Sequence, residues 1–414
     1  MNSIWILVIM IIVLLMGYFF YGKFFEKKII EADKDRVTPA HRLNDKMDYY
    51  PSKTIMLFGH HFSSIAGAGP IIGPLVAVIN FGWLAAIGWL AIGSIFIGAV
   101  HDYLTLMISV RNDGKSIASI AEQVLGKKSK IIFSVFLWLA LVLVIAVFGI
   151  VSAKTLVVKP TIVIPTFSLI IIAIIVGFMV YRLKLPVFAA TLVGLILLIY
   201  AIFLGFKFPI AFNMTAAKAT MTWFWILMLY AGIASIVPVW ILLQPRDYIS
   251  TYILWTGLLL GIVGIFVAAK HINAPAFYHF NSSAQGPMWP MLFILVACGA
   301  ISGFHALVAG GTTSKQLGNE KTGLLIGYGG MLTETLLAVV AAISVSAGLY
   351  WIKAPTPALQ HLVFQTAYKN GWIVAFSTGY ANIIQTLPVI TFTIAMAFAM
   401  LMLNSFVHIG RAHV

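Results

Sequence analysis

The chain has 414 residues, 61% of them hydrophobic and only 9% charged, with a net charge of +14 and a mean hydropathy of +1.01. A soluble domain carries roughly 25% charged residues, so a soluble enzyme and a nucleic-acid-binding domain are both excluded, and the basic excess reads as loop charge on one side of a membrane. The single cysteine, Cys298, leaves no disulfide framework and no Cys-based metal site; strand-like alternation is missing too, so the expected class is an all-α polytopic membrane protein.

Eleven apolar spans are predicted, at 4–21, 55–79, 82–110, 131–153, 167–181, 187–206, 224–243, 252–269, 291–312, 323–348 and 386–408. The first lacks a basic leader and a small-residue cleavage site, so it reads as a retained N-terminal helix over 1–21 rather than a signal peptide. A basic loop follows over 22–54. Span two then carries Phe58-Gly-His-His-Phe-Ser-Ser-Ile-Ala-Gly-Ala-Gly-Pro-Ile-Ile-Gly-Pro74, with apolar flanks but too much Gly and Pro for a plain helix. Backbone that leaves helical geometry at membrane depth must be buried in protein or line a cavity, and in transporters such breaks form the substrate site. Pro70 and Pro74 remove two backbone donors. Freed carbonyls suit a cation, and half-helix N-termini suit a carboxylate. Substrate or ion contacts are therefore expected at His60, His61, Gly67, Gly69 and Pro70.

Span three contributes His101-Asp102-Tyr103. Span seven has a second expected interruption, at Gly232 and Pro238, and ends at Arg246-Asp247, which reads as a polar pair at the cytoplasmic edge. Span nine contributes Ser302, His305 and Thr312, expected to line the same cavity, and span ten places Glu334 deep in apolar sequence. Ionisable groups within spans are costly and mark ion paths or proton relays. Glu334 is the first expected proton carrier and Asp102 the second; the bland alternative is that these groups bond helix ends or one another. A zinc site on His60, His61, His101 and His305 is rejected. No His-Glu-x-x-His is present, adjacent histidines point to different helix faces, and the others lie on distant spans. No metal, cofactor, phosphate-binding loop or catalytic constellation is expected, so the chain does not read as an enzyme.

Eighteen Lys and Arg fall in loops on the side of 22–54 and seven on the other, which places the N-terminus outside the cytoplasm. Spans two to six (55–206) and seven to eleven (224–408) then form five-helix units of opposite topology, each opening on an interrupted helix. That is the inverted five-plus-five pattern of secondary transporters. The tail 409–414, Ile-Gly-Arg-Ala-His-Val, reads as translated sequencing adapter, and the natural protein is expected to continue past about Val407.

At these motifs the chain resembles the carbon starvation protein A family of bacterial inner-membrane transporters. The matching pieces are Arg36-Val-Thr-Pro39-Ala, Asn44-Asp45, Asp48-Tyr49, Leu57-Phe-Gly-His-His61, Ala66-Gly-Ala-Gly-Pro70 and Gly98-Ala-Val-His-Asp102. They continue with Arg111-Asn-Asp-Gly114, Pro238-Val-Trp240, Pro245-Arg-Asp-Tyr-Ile-Ser-Thr251, Ser302-Gly-Phe-His-Ala306, Gly311-Thr-Thr313, Asn319-Glu320 and Gly327-Tyr-Gly-Gly330. The resemblance implies uptake of short peptides or of a small monocarboxylate such as pyruvate, coupled to protons and linked to carbon starvation. It also implies a fold of the amino acid–polyamine–organocation type. Many members have Gln where His101 stands, the family's later Thr-rich, Asp-containing motif is absent after Phe406, and 351–385 matches poorly. The expected partners are the small substrate, protons and the lipid bilayer, with no nucleic acid. The alternative class is a membrane nutrient sensor without transport, against which the 33-residue loop 22–54 is too small for a signalling domain.

Overall fold

The computed structural model describes residues 1–236, 243–369 and 371–405. Among them the fold is helical apart from a two-residue hairpin, Asn281–Ser282 with Gly286–Pro287. The helices are α1 (Ser3–Ile30), α2 (Thr54–Ile65), α3 (Gly69–Phe81), α4 (Trp83–Arg111), α5 (Ile117–Leu125), α6 (Lys127–Val158), α7 (Pro160–Val180), α8 (Val187–Lys207), α9 (Ala216–Ile236) and α10 (Arg246–Ala268). They continue with α11 (Met288–Leu295), α12 (Ala297–Ala300), α13 (305–316), α14 (Glu320–Ser346), α15 (Trp372–Ile384) and α16 (Phe392–Ser405).

Eight of these are long and apolar enough to cross a membrane, and nine if α2 and α3 form one span bent by 48°. The chain is thus a multi-pass membrane protein. Two of the eleven expected spans are built otherwise. Residues 291–312 become three short helical pieces, interrupted at Val296 and at 301–304, where Ser302 and Gly303 lie. Near 386–408 the apolar helix is only Phe392–Asn404. The first helix also runs past the expected edge at 21 to Ile30, where Glu31 ends it in left-handed geometry (φ 50°).

The chain divides into two compact units. The first comprises Met1–Gly126 with Leu258–Met396; the second comprises Lys127–Gly257 with the chain from Ala397. In the first unit α14 is the central post, its most apolar stretch 78% buried, whereas the corresponding stretch of α6 in the second unit has no buried share. A helix exposed along its apolar length meets lipid. In the second unit Ser152 donates to Asn404 Oδ1, and the Asn404 amide donates to Thr166 Oγ1 at 2.7 Å. The hydroxyls of Thr191, Tyr248 and Tyr252 form a chain with steps of 2.8 Å.

The first unit has two distinct ends. At one, Ser3 N donates to Lys270 O, Asn273 N to Ser346 O and Tyr278 N to Phe81 O. At the other, Arg111 donates to Ile30 O at 2.7 Å and Ser52 N to Gln316 O at 3.1 Å. These contacts fix the running directions. The bent span α2–α3 and the broken span α11–α13 are antiparallel neighbours, and the long helices that follow them, α4 and α14, are antiparallel too. Wide π turns occur at Gly17–Gly22, Ser94–Gly98 and Leu324–Tyr328. Such turns leave carbonyls poorly paired, and the Tyr328 hydroxyl serves two of them, donating to Ile95 O at 2.9 Å and Gly17 O at 3.3 Å.

Candidate functional site: two facing helix breaks and a buried acid–imidazole cluster

The first break lies at 66–68, between α2 and α3. Ser63 and Ser64 both turn their hydroxyls back to His60 O, at 3.1 and 2.5 Å. Hydroxyls bonded back along a helix weaken its ladder, and Gly67 and Ala68 follow. Pro70 sits in the first turn of α3, where its missing N–H leaves nothing unpaired. The second break lies at 301–304, between α12 and α13. The helices beside the two breaks touch. A side chain added at Gly69 would overlap Cys298, and one at Gly299 would meet Pro70 Cα at 3.4 Å.

Carbonyls on the approach to the second break are met by closely packed backbone. Ala300 O rests on Gly98 and Leu295 O on Gly73, so closely that a Cβ at either glycine has no room. Thr335 donates to Gly299 O at 3.2 Å. This accounts for glycines at those helix positions, which otherwise lower helix stability.

Three ionisable residues from three helices converge beside the breaks. His305 Nδ1 lies 2.6 Å from Asp102 Oδ2, and His305 Nε2 lies 3.1 Å from Glu334 Oε2. All three side chains are fully buried. Asp102 is well bonded, since His101 Nδ1 also approaches its Oδ1 at 3.0 Å. Glu334 is not: both its oxygens lack a well-directed hydrogen bond, and its contact with His305 is one of proximity. The cluster holds two carboxylates against one imidazole at its centre, with the partly exposed His101 at its edge. Buried charges need a partner, and an unmatched one is expensive.

The structure therefore brings together Asp102, His305 and Glu334, expected from separate spans. Ser302, buried at the second break, accepts from His305 N at 3.3 Å. His61, fully buried, meets Thr313 Oγ1 at 2.9 Å, and its ring lies against Gly330 of α14. The expected Thr312 instead bonds back to Val308 O at 3.4 Å, one residue from the threonine that makes the contact. Gly67 lies in the first break and Gly69 and Pro70 open α3 just after it, with the partly buried His60 in the helix before it. The interruption expected at Gly232 is not there. Gly232 lies within the unbroken α9 of the second unit, with open space where a side chain would stand. Pro238 and the tail 409–414 lie outside the described residues. The break that neighbours the first one in this unit is on the ninth expected span. Thr313 is the contributor that sequence reasoning passed over, although Gly311-Thr-Thr313 stands among the motifs quoted above; His101 was weighed but not chosen. No group of three or more His, Cys, Asp or Glu among the described residues is placed to hold a metal ion.

A sequence model of the family described as Carbon starvation protein CstA matches residues 2–369. The chain belongs to this family. It is 37% identical over 366 residues to the peptide transporter CstA of Escherichia coli strain K12, covering 84% of this chain and 51% of that one. It is 35% identical over 386 residues to the pyruvate/proton symporter BtsT of the same strain, covering 89% and 53%. To the peptide transporter CstA of Bacillus subtilis strain 168 it is 36% identical over 355 residues, covering 84% and 58%. The chain thus spans about half the length of the curated relatives it matches. No solved structure matches.

Proposed function

We propose that this member of the carbon starvation family is the site-bearing part of a secondary active transporter. It takes up short peptides or a small monocarboxylate such as pyruvate across the bacterial cytoplasmic membrane, driven by protons, during carbon starvation. The observation that carries the reading is the buried Asp102–His305–Glu334 cluster beside two facing helix breaks. With both carboxylates ionised and the imidazole protonated the trio carries one net negative charge, and a proton is the smallest cation able to balance it. A substrate carboxylate is repelled by the unbalanced cluster, so proton loading precedes substrate binding. Relatives named as peptide transporters and as a pyruvate/proton symporter agree with this chemistry.

Orientation follows the basic loops. The end of the first unit formed by Ile30, Arg111 and Gln316 carries the Lys- and Arg-rich segments, which favours the cytoplasm and leaves the N-terminus outside. An inverted relation is supported by the antiparallel pairs α2–α3 with α4 and α11–α13 with α14, which begin at expected spans two and nine rather than two and seven. Alternating access would rock these pairs about the breaks.

The experiment is uptake into liposomes under an inward proton gradient, with labelled pyruvate and a labelled dipeptide side by side. Gradient-dependent uptake of one alone fixes substrate and coupling together. Folded protein that takes up neither overturns the transporter reading in favour of a sensor.

A further inference from the structure

The loop after α1 is not slack. Residues 31–53 return across the ends of α4, α13 and α14 and are tied to each. Glu320, at the start of α14, has a side chain only 1% exposed. It receives Asp33 N at 3.2 Å, Arg36 Nη1 at 3.2 Å, and Arg111 Nε and Nη2 at 3.3 and 3.1 Å. Arg111 also donates to Ile30 O, joining α1 to the same knot. Further along, Arg42 pairs with Asp113, the Tyr49 hydroxyl donates to Asp113 O at 2.9 Å, and His41 Nε2 lies 3.2 Å from Gly318 O. Ser52 then pairs with Leu317 as an isolated bridge.

The three helices tied here are the three that carry Asp102, His305 and Glu334. At about 1.5 Å per residue, Arg111, Gln316 and Glu320 lie roughly 14, 17 and 21 Å along their helices from those groups. Half of a hydrocarbon core is about 15 Å. The strap therefore closes one face of the membrane while the cluster lies near the midplane. It is held by backbone contacts and by ion pairs whose arginines reach water while the Glu320 carboxylate is buried.

We infer that the segment 31–53 is a gate over the path to the cluster, with Glu320 as its latch. While the latch holds, α4, α13 and α14 are pinned together at this end. Release of Arg36 and Arg111 from Glu320 lets them part and opens the breaks to that side. The inference rests on the transporter reading only for its purpose; the gate itself is read without transport.

Cys298, the single cysteine of the chain, is partly buried against Gly69 at the first break, so it reports access to the site. The measurement is its rate of alkylation by N-ethylmaleimide in proteoliposomes. Glu320→Gln and Arg111→Gln should each raise that rate at least ten-fold. In the Glu320→Gln background, a Ser52→Cys/Leu317→Cys staple, oxidised before labelling, should return the rate to that of the parent. Rates unchanged in both variants would overturn the gate. A raised rate that the staple fails to lower would overturn it as well, since it would report loosened structure rather than an opened strap. Latch-dependent labelling in a protein without uptake would leave the gate standing and remove the transporter reading.

Discussion

Replacing His305 by Gln tests the charge arithmetic of the cluster directly. His305 touches Asp102 at 2.6 Å and Glu334 at 3.1 Å, and all three side chains are fully buried. Removing the imidazole strands Glu334 and leaves Asp102 with His101 alone. Breaking a buried ion pair by deleting one partner costs about 3–5 kcal/mol, a large share of a total stability of about 5–15 kcal/mol. Glu334→Gln should behave oppositely. It leaves one carboxylate for one imidazole and sacrifices no well-directed hydrogen bond, so its cost should stay within about 1 kcal/mol, the scale of one net hydrogen bond. The expected gap between the two variants is therefore about 2–4 kcal/mol. Denaturant unfolding in detergent, followed through the fluorescence of the 11 tryptophans, measures it. Equal stabilities, or Glu334→Gln as the weaker protein, would refute the reasoning. The same Glu334→Gln protein should lose uphill uptake while keeping counterflow exchange, because its site remains folded but cannot carry the proton.

Thr313→Val removes the hydroxyl that meets His61 at 2.9 Å and should cost about 1–3 kcal/mol in the same unfolding assay, the price of a lost buried partner. Gly98→Val drives a side chain into Ala300 O; overpacking of about 1–3 kcal/mol and impaired uptake are expected, and wild-type behaviour in both would refute the close approach. Gly232→Ala enters open space on an unbroken helix, so uptake should be unchanged and stability raised by up to about 1 kcal/mol; lost uptake would restore the idea of a working break there. Asp45 accepts the backbone N–H groups of Met47, Asp48 and Tyr49, and these hold its carboxyl below the usual carboxylate range. The contribution of that turn is complete above the ordinary Asp value of about 3.9 and is lost as pH falls through the lowered one. Hydrogen exchange at residues 47–49 should therefore accelerate, beyond its intrinsic pH dependence, only in strong acid; loosening at higher pH would contradict the assignment.

What could be read along the chain was what each residue announces alone. Gly67, Gly69 and Pro70 cannot continue a helix without cost, so the first break was legible from local chemistry. Glu334, Asp102 and His305 were legible as polar groups in apolar sequence. Their convergence was not, because Asp102 and His305 are separated by 203 positions and no periodicity encodes a contact of that range. Gly232 failed for the complementary reason. A glycine marks a break only where neighbouring backbone takes up the freed groups, and in α9 Ser235 bonds back to Gly232 O at 2.7 Å while the ladder runs on. The broken ninth span was hidden by its own composition. Its apolar residues satisfied the length of a crossing, and hydropathy does not register that Ser302 and Gly303 part the helix just after the carbonyls that Gly98 and Thr335 meet. The basic loop carries more than a count of charges registers. Counting Lys and Arg gives the side of the membrane, which treats Arg36 and Arg42 as interchangeable units of charge. Their positions matter as well as their number, because Arg36 meets Glu320, buried at the start of α14, and Arg42 meets Asp113 in the turn after α4. A buried carboxylate requires a cation beside it, and Arg36 of this loop supplies one at Glu320, so the loop also ties the fold at that end.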